Sequence, residues 1–271
     1  MRIATVRVAS LLAVAGLLAN AHAIAQPAQK LQPEYRRIDG AALRSVLPPD
    51  GKQALAQVAP FRLRSKPVTN ADFLAFVMQY PQWRKDHIAA LFAEPRYLSH
   101  WQAPTVLGAN ASPAQPVVQV SWFAARAYCA SENARLPRWH EWERAAAADA
   151  TRQDARDDPV WRETILSWYS RPNSALANVG QGEADVWGVY DLHGLVWEWV
   201  EDFSSLMVSA DNREQGDPDL LKFCGSGALS VNDRENYAVL MRVAMLSALQ
   251  ARDTTQNLGF RCVRDGAGDS P

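Results

Sequence analysis

The stretch Pro116-Val117-Val118-Gln119-Val120-Ser121-Trp122, continuing through Ala127-Tyr128-Cys129 and Arg135-Leu136-Pro137 to Glu141-Trp142-Glu143, decides how this chain folds. Val117 to Val120 reads as a short strand. Ser121 suits an N-cap, because its hydroxyl can accept a first-turn N–H that has no partner inside the helix. Trp122, Phe123, Ala125, Ala127, Tyr128 and Cys129 then fit a helix. Leu136-Pro137 breaks the chain, and Trp139 to Ala148 forms an Ala-rich helix. Elements are short, and each is punctuated by a cap or a breaker.

The same grain continues outward. Upstream, Gln53 to Leu63 alternates weakly, as a strand does. Pro67-Val68-Thr69-Asn70 opens a helix in which Asn70 is the cap and Phe73, Leu74, Phe76 and Val77 form the apolar face. Tyr80-Pro81 stops it. Ile88 to Phe92 makes a second short helix before Pro95, and Ala111 to Pro116 is a loop. Downstream, Asp149 to Asp158 is charged and superficial. Trp161 to Gly188 reads as irregular from its Asn, Gly and Pro content. Gly188–Asp191, Val196–Val200, Phe223–Ala228 and Phe260–Val263 are strand candidates, and a helix runs from Glu235 to Ala251. No internal repeat is visible. Long irregular stretches between short elements count against a compact fold unless something braces them.

Met1 to Ala25 has a basic start at Arg2 and Arg7, then an apolar run from Val8 to Ala19. Small-residue patterns at Ala21-His22-Ala23 and Ala23-Ile24-Ala25 follow. That is the build of a secretory signal, and the run is short for a bilayer core of roughly 30 Å. The expected organisation is a signal peptide over 1–25, an N-terminal arm and edge segment over 26–60, one domain over 61–265 and a tail over 266–271. The expected compartment is the periplasm, with no membrane span once the signal is cleaved. With 28 basic and 29 acidic residues and a net charge of −1, nothing draws the chain to nucleic acid or an anionic membrane. Ten tryptophans demand a deep aromatic core, and each buried indole N–H needs a partner. Three cysteines, Cys129, Cys224 and Cys262, allow one internal disulfide and leave a thiol over.

Four segments, in order, carry a family resemblance. They are Lys66 to Phe73, Pro116 to Glu143, Gly188-Val189-Tyr190-Asp191-Leu192-His193-Gly194 with Val196-Trp197-Glu198-Trp199, and Leu258-Gly259-Phe260-Arg261-Cys262. Together they resemble the formylglycine-generating-enzyme (sulfatase-modifying factor) superfamily. The implied fold class is α+β, an irregular relative of the C-type lectin fold with few short strands and helices. A narrower likeness, in Trp197 to Phe203, Phe223 to Gly227, Met241-Arg242 and Gly259-Phe260-Arg261, points to the accessory proteins associated with copper nitrite reductases.

The resemblance assigns roles residue by residue. It implies a disulfide between Cys129 and Cys262, against the alternative of two separate buried thiols. Catalytic members carry out oxygen-dependent oxidation of a substrate cysteine at Cu(I) held by two cysteines beyond a Gly-Gly-Ser strand. Here that strand matches Phe223 to Gly227, and no Cys or His occurs from Gly225 to Arg261. Two thiolates make a soft, linear copper site, so formylglycine-generating activity is not expected. Cys224 then has three readings: a reactive thiol, a soft-metal ligand with Met241 and Met245 one helical turn away from each other, or an intermolecular disulfide. The two methionines read first as core filler. His193 is either a ligand or proton shuttle or a hydrogen-bonded structural residue. His140-Glu141 is no zinc-protease motif, because the second His it needs is replaced by Arg144. Arg135, Glu141, Trp142 and Glu143 are assigned to structure, as are Trp197 and Trp199, with Glu198 facing a partner such as Arg261. A calcium site is implied at Asn178 and Val179 with Asp185 as carboxylate.

Three functions follow as expectations. The first is a periplasmic accessory or maturation factor for a copper nitrite reductase or other copper protein. The second is a divergent oxidoreductase of the superfamily acting on a peptide or small molecule. The third is a lectin-like binding module, since such scaffolds host many ligands.

Overall fold

The computed structural model describes residues 33–47, 55–169, 175–206 and 237–266. These all belong to one compact unit that begins at Pro33. Residues 1–25, expected to be a signal, the strand candidate Phe223–Ala228 and Cys224 lie outside the described residues. The central sheet has three antiparallel strands in the order β1 (Tyr35–Ile38), β4 (Phe61–Arg64), β7 (Val263–Asp265), with Ile38 opposite Phe61 and Leu63 opposite Val263. β2 (Ala41–Leu43) and β3 (Ala56–Val58) form a hairpin-like pair, and β5 (Trp197–Glu198) runs parallel to β6 (Leu258–Gly259). Five α-helices occur among the described residues: α1 (Asn70–Gln79), α2 (Trp122–Ser131), α3 (Trp139–Ala146), α4 (Pro159–Tyr169) and α5 (Tyr237–Ser247). No helix among the described residues is long and apolar enough to cross a membrane.

Local chemistry sets the element boundaries. Ser121 accepts the Ala124 N–H at 3.2 Å and starts α2. At α1 the cap is Thr69, one residue before the expected Asn70. Thr69 Oγ1 accepts from Asp72 N and the Asp72 carboxylate accepts from Thr69 N, each at 3.1 Å, which closes a capping box. Asn70 instead works in the core, where its Oδ1 accepts the Trp101 indole N–H at 3.1 Å and its Nδ2 donates to the Ser112 carbonyl. The single strand expected over Gln53–Leu63 is two, split at Ala59-Pro60. Ile88–Phe92 forms turns rather than a helix. Val117–Val120 is no strand, because Gln119 adopts a left-handed φ of 53°. The stretch expected to be irregular from Trp161 contains α4. Its start is marked by Asp158, whose carboxylate accepts Val160 N at 2.8 Å, followed by Pro159 in the first turn.

The core is an aromatic box. Phe73 of α1 stacks on Tyr128 of α2 at 5.8 Å and meets Trp101 and Phe260 edge-on, while Tyr128 meets Phe260 at 5.3 Å. Gly259 lets the chain bring two backbones together here. A Cβ at that position would lie 2.6 Å from the Val117 carbonyl oxygen.

Cys129 and Cys262 are joined by a disulfide, with Cα atoms 5.4 Å apart, and both are buried. The bond ties α2 to the strand end that enters β7, across 133 residues of sequence. It braces the long connections. On the chain-entropy account a loop of that size stabilises by about 5 kcal/mol. A Cys129→Ala/Cys262→Ala variant is therefore expected to lose about 3–5 kcal/mol of unfolding free energy. Urea denaturation with and without reductant checks this: reductant should destabilise the wild type and leave the variant where it is.

Candidate functional site

The interior next to β5 holds a charged cluster. Glu198 and Arg261 are both fully buried, and their ion pair closes at 2.8 Å. Arg261 Nε adds bonds of 2.9 and 3.0 Å to the two carboxylate oxygens, and its Nη2 donates to the Tyr190 carbonyl. Trp142 Nε1 donates to the same carboxylate at 3.0 Å. Arg242 of α5 donates to the Glu198 carbonyl, and its guanidinium sits 3.5 Å from the centre of the Trp142 ring. The position of Arg242 escapes a reading of the sequence, although an Arg inside the apolar run Val239 to Leu246 is its trace. Glu198 spends its acceptors on structure, so the cluster offers no free carboxylate for acid–base chemistry.

His193 borders the cluster. Its Nε2 lies 2.8 Å from the Ala146 carbonyl, so this nitrogen carries the proton and donates. The ring meets Trp142 at 5.8 Å, Trp161 at 5.7 Å and Trp168 at 6.3 Å. Burial draws the imidazole down to about 4, with the Arg242 and Arg261 charges acting in the same direction. His193 is thus neutral at physiological pH.

The remaining residues singled out in the sequence fall into separate places. Arg135 forms a two-armed ion pair with Glu141, both bonds at 2.7 Å, and also reaches Asp265 of β7. Glu141 accepts the Arg138 N–H at 2.8 Å, closing the first turn of α3. Glu143 is buried, accepts from Ser45 and from Val46 N, and has Arg156 at 3.7 Å; its burial raises the carboxyl above the usual range. Trp199 is buried and donates to the Val120 carbonyl at 2.9 Å, whereas Trp197 is only partly covered. Met241 is 40 % exposed, and Met245 is partly buried against the core. The two methionines therefore share a helix face without converging inward.

Two residues of the implied calcium site, Val179 and Asp185, make hydrogen bonds within the protein. Asp185 Oδ1 accepts the N–H groups of Trp187 and Val189, both at 2.9 Å, and so holds its own turn. Val179 N donates to Ala114. The end of Lys66 packs on Gly180, where a Cβ would lie 2.5 Å from Lys66 Cε, and its ammonium sits 5.1 Å from the Tyr190 ring centre. Among the described residues no group of three His, Cys, Asp or Glu side chains could hold a metal ion.

The disulfide also settles the fit of the two-thiolate copper site. With Cys129 and Cys262 bonded to each other, the chain has a single further cysteine. Soft, linear coordination needs two thiolates. That copper site does not fit this chain.

Comparison with known proteins joins these observations. The family model of the sulfatase-modifying factor enzyme 1-like domain matches residues 34–266. The chain belongs to that family. Among its relatives is the inactive C-alpha-formylglycine-generating enzyme 2 of Bos taurus, 26% identical over 82% of this chain and 83% of the relative. The formylglycine-generating enzyme of Streptomyces coelicolor is 28% identical over 83% of this chain and 85% of its own length. The hercynine oxygenase of Mycolicibacterium thermoresistibile is 30% identical, over 54% of this chain and 36% of that protein. The sulfatase-modifying-factor domain begins at residue 34, so β1 to β3 are part of it.

Two expectations follow from the charged groups of this domain. Glu198→Gln leaves the Arg261 guanidinium buried without its counter-charge and should cost about 3–5 kcal/mol. The double variant Glu198→Leu/Arg261→Met should lose less than the single one, because replacing both members of a buried pair is far cheaper than orphaning one. Urea midpoints at unchanged slope distinguish the two. Asp185 gives a pH test. Burial raises its carboxyl to about 6 from an ordinary 3.8. The folded state then binds the extra proton between those values, so this contribution is present at low pH and is lost as pH rises through 6. Asp185→Asn keeps the Oδ1 acceptor for both N–H groups and removes the charge. It should raise stability at pH 7.5, by at most about 3 kcal/mol, and leave it unchanged near pH 4. Denaturation midpoints at the two pH values measure this.

Proposed function

We propose that this protein is a non-oxidising member of its family. In this reading it is exported to the periplasm, where it acts as an accessory or maturation factor for a copper enzyme such as nitrite reductase. One observation carries the reading: Cys129 and Cys262 are locked in the disulfide, and the remaining thiol is Cys224, with no Cys or His between Gly225 and Arg261. Oxidation of a peptide cysteine through a pair of thiolates has no second thiolate to use. A relative that carries the word "inactive" in its name matches most of this chain, which supports the view that the scaffold is kept where the oxidase chemistry is not.

The periplasmic part of the proposal draws on the signal-like start of the chain and on the disulfide, which suits an oxidising compartment. The copper client draws on the resemblance of Trp197 to Phe203 and of Met241-Arg242 to nitrite-reductase-associated proteins. The second reading, a divergent oxidoreductase, is favoured by the match to a hercynine oxygenase.

One co-expression experiment separates them. Produced in the periplasm with a copper nitrite reductase, this protein should raise the reductase's copper occupancy, measured by metal analysis of the purified reductase. A sulfatase-type peptide containing cysteine, incubated with the purified protein and Cu(I), should keep its thiol by mass spectrometry. Formylglycine appearing in that peptide would sink the proposal, and unchanged copper occupancy would remove the client.

A further inference from the structure

One edge of the central sheet is unpaired among the described residues. β7 has β4 on one side and Arg135 on the other, where two backbone bonds with Val263 close at 2.9 and 2.7 Å. β1 has β4 alone. Ser65 N donates to the Glu34 carbonyl at 2.8 Å, and in an antiparallel pair such bonds recur at every second residue. Arg36 opposite Leu63 and Ile38 opposite Phe61 are therefore the bonded pairs. The backbone N–H and carbonyl groups of Tyr35 and Arg37 point off the edge, and no described residue bonds to them.

The outer face of the same sheet carries a row of like charge. Arg37, Arg62 and Arg264 stand directly opposite one another on β1, β4 and β7. Neighbouring strands lie about 4.8 Å apart, and like charges set opposite each other destabilise a sheet. The acids nearby are engaged elsewhere: Asp265 with Arg135, and Asp72 and Glu132 with Arg64. Arg37 has only Asp39, at 3.0 Å in an exposed pair. Arg264 reaches across β4, with its guanidinium 4.0 Å from the centre of the Tyr35 ring, and donates to the Glu132 carbonyl. Arg62 is exposed, and its side chain has no hydrogen bond or ion pair among the described residues.

We propose that β1 is a docking edge for an extended acidic segment of a partner protein, which adds as a strand and sets a carboxylate against Arg37. Arg62, one strand further in, is long enough to share that carboxylate. Main-chain bonds to Tyr35 and Arg37 supply affinity, and alternate side chains supply selectivity. A second copy of this chain is a poor occupant, because β1 against β1 would bring two arginine rows together. So is the chain's own run from Gln26 to Pro33, which has Lys30 and no acid. A long polyanion or an anionic bilayer fits no better. With 29 acidic against 28 basic residues over the chain, such a ligand would meet both signs beyond the row. The inference stands apart from the copper client, since it needs only an acidic strand.

A fluorescein-labelled peptide of alternating Glu and Thr, titrated with the full chain at low ionic strength, tests it by fluorescence polarisation. The peptide should bind, and added salt should weaken it. A Lys–Thr peptide should not bind, nor should the Glu–Thr peptide N-methylated throughout, which keeps the charge but has no N–H to donate. Arg37→Gln and Arg62→Gln should each weaken binding by up to about 5-fold, with a urea midpoint no lower than that of the wild type. Hydrogen exchange should slow at the Tyr35 and Arg37 amides when the peptide is bound, while α1 is unaffected. A Glu–Thr peptide that fails to bind overturns the proposal. So does equal binding by its N-methylated form, unchanged affinity in both Gln variants, or protection that bypasses Tyr35 and Arg37. Displacement by inorganic phosphate at matched ionic strength would mark a simple anion site and overturn it as well.

Discussion

A carboxylate and a guanidinium buried together, Glu198 with Arg261, set the terms on which the rest of this structure is built. Neither group reaches water, so every remaining donor and acceptor on them must find a protein partner. Those partners come from four directions: the Trp142 indole from α3, the Tyr190 carbonyl, the Arg64 carbonyl at the end of β4, and Arg242 from α5 on the backbone carbonyl of Glu198. A buried pair of this kind contributes little net stability over an apolar substitute, but it penalises any arrangement that separates the two charges. The strands among the described residues are two to four residues long, and ladder bonds alone hold register weakly in them. A directional contact that only one arrangement satisfies fills that need.

The disulfide complements this specificity. Between α2 and β6 the described residues 147–158 and 175–196 form no helix or strand, and loops of that length normally leave a chain under-constrained. Cys129 and Cys262 close it at a point where Arg64 N already bonds to the Cys262 carbonyl, so covalent and hydrogen-bonded constraints act on one strand end. The aromatic box of Phe73, Tyr128 and Phe260 fills the space between the helices that the disulfide and the sheet draw together.

What can be read from the amino-acid order follows the range of the interaction. Ser121 and the helix it starts are legible because cap and apolar periodicity are both local. The start of α4 is equally local, with Asp158 as cap and Pro159 behind it, yet the Asn and Gly further on draw the eye to irregularity. Val117 to Val120 fails for a different reason. Its composition suits a strand, but the backbone must bond Val68 on one side and Thr255 on the other, and it turns at Gln119 to do so. Long-range contacts of that kind leave no periodic trace. The same holds for Lys66, which packs on Gly180 from a distant segment.

Scaffold and chemistry are separable here because they rest on different residues. The elements that carry the fold, Glu198, Arg261, Trp142 and the Cys129–Cys262 bond, are self-contained: each is satisfied within the protein and leaves nothing exposed for a substrate. Thiol oxidation on copper would draw on a second, independent set of sulfurs, and the chain supplies one beyond the disulfide. A protein can therefore keep the full architecture of its family while its surface, helix α5 with Met241 outward and helix α4 docked on His193, is free to take up another role.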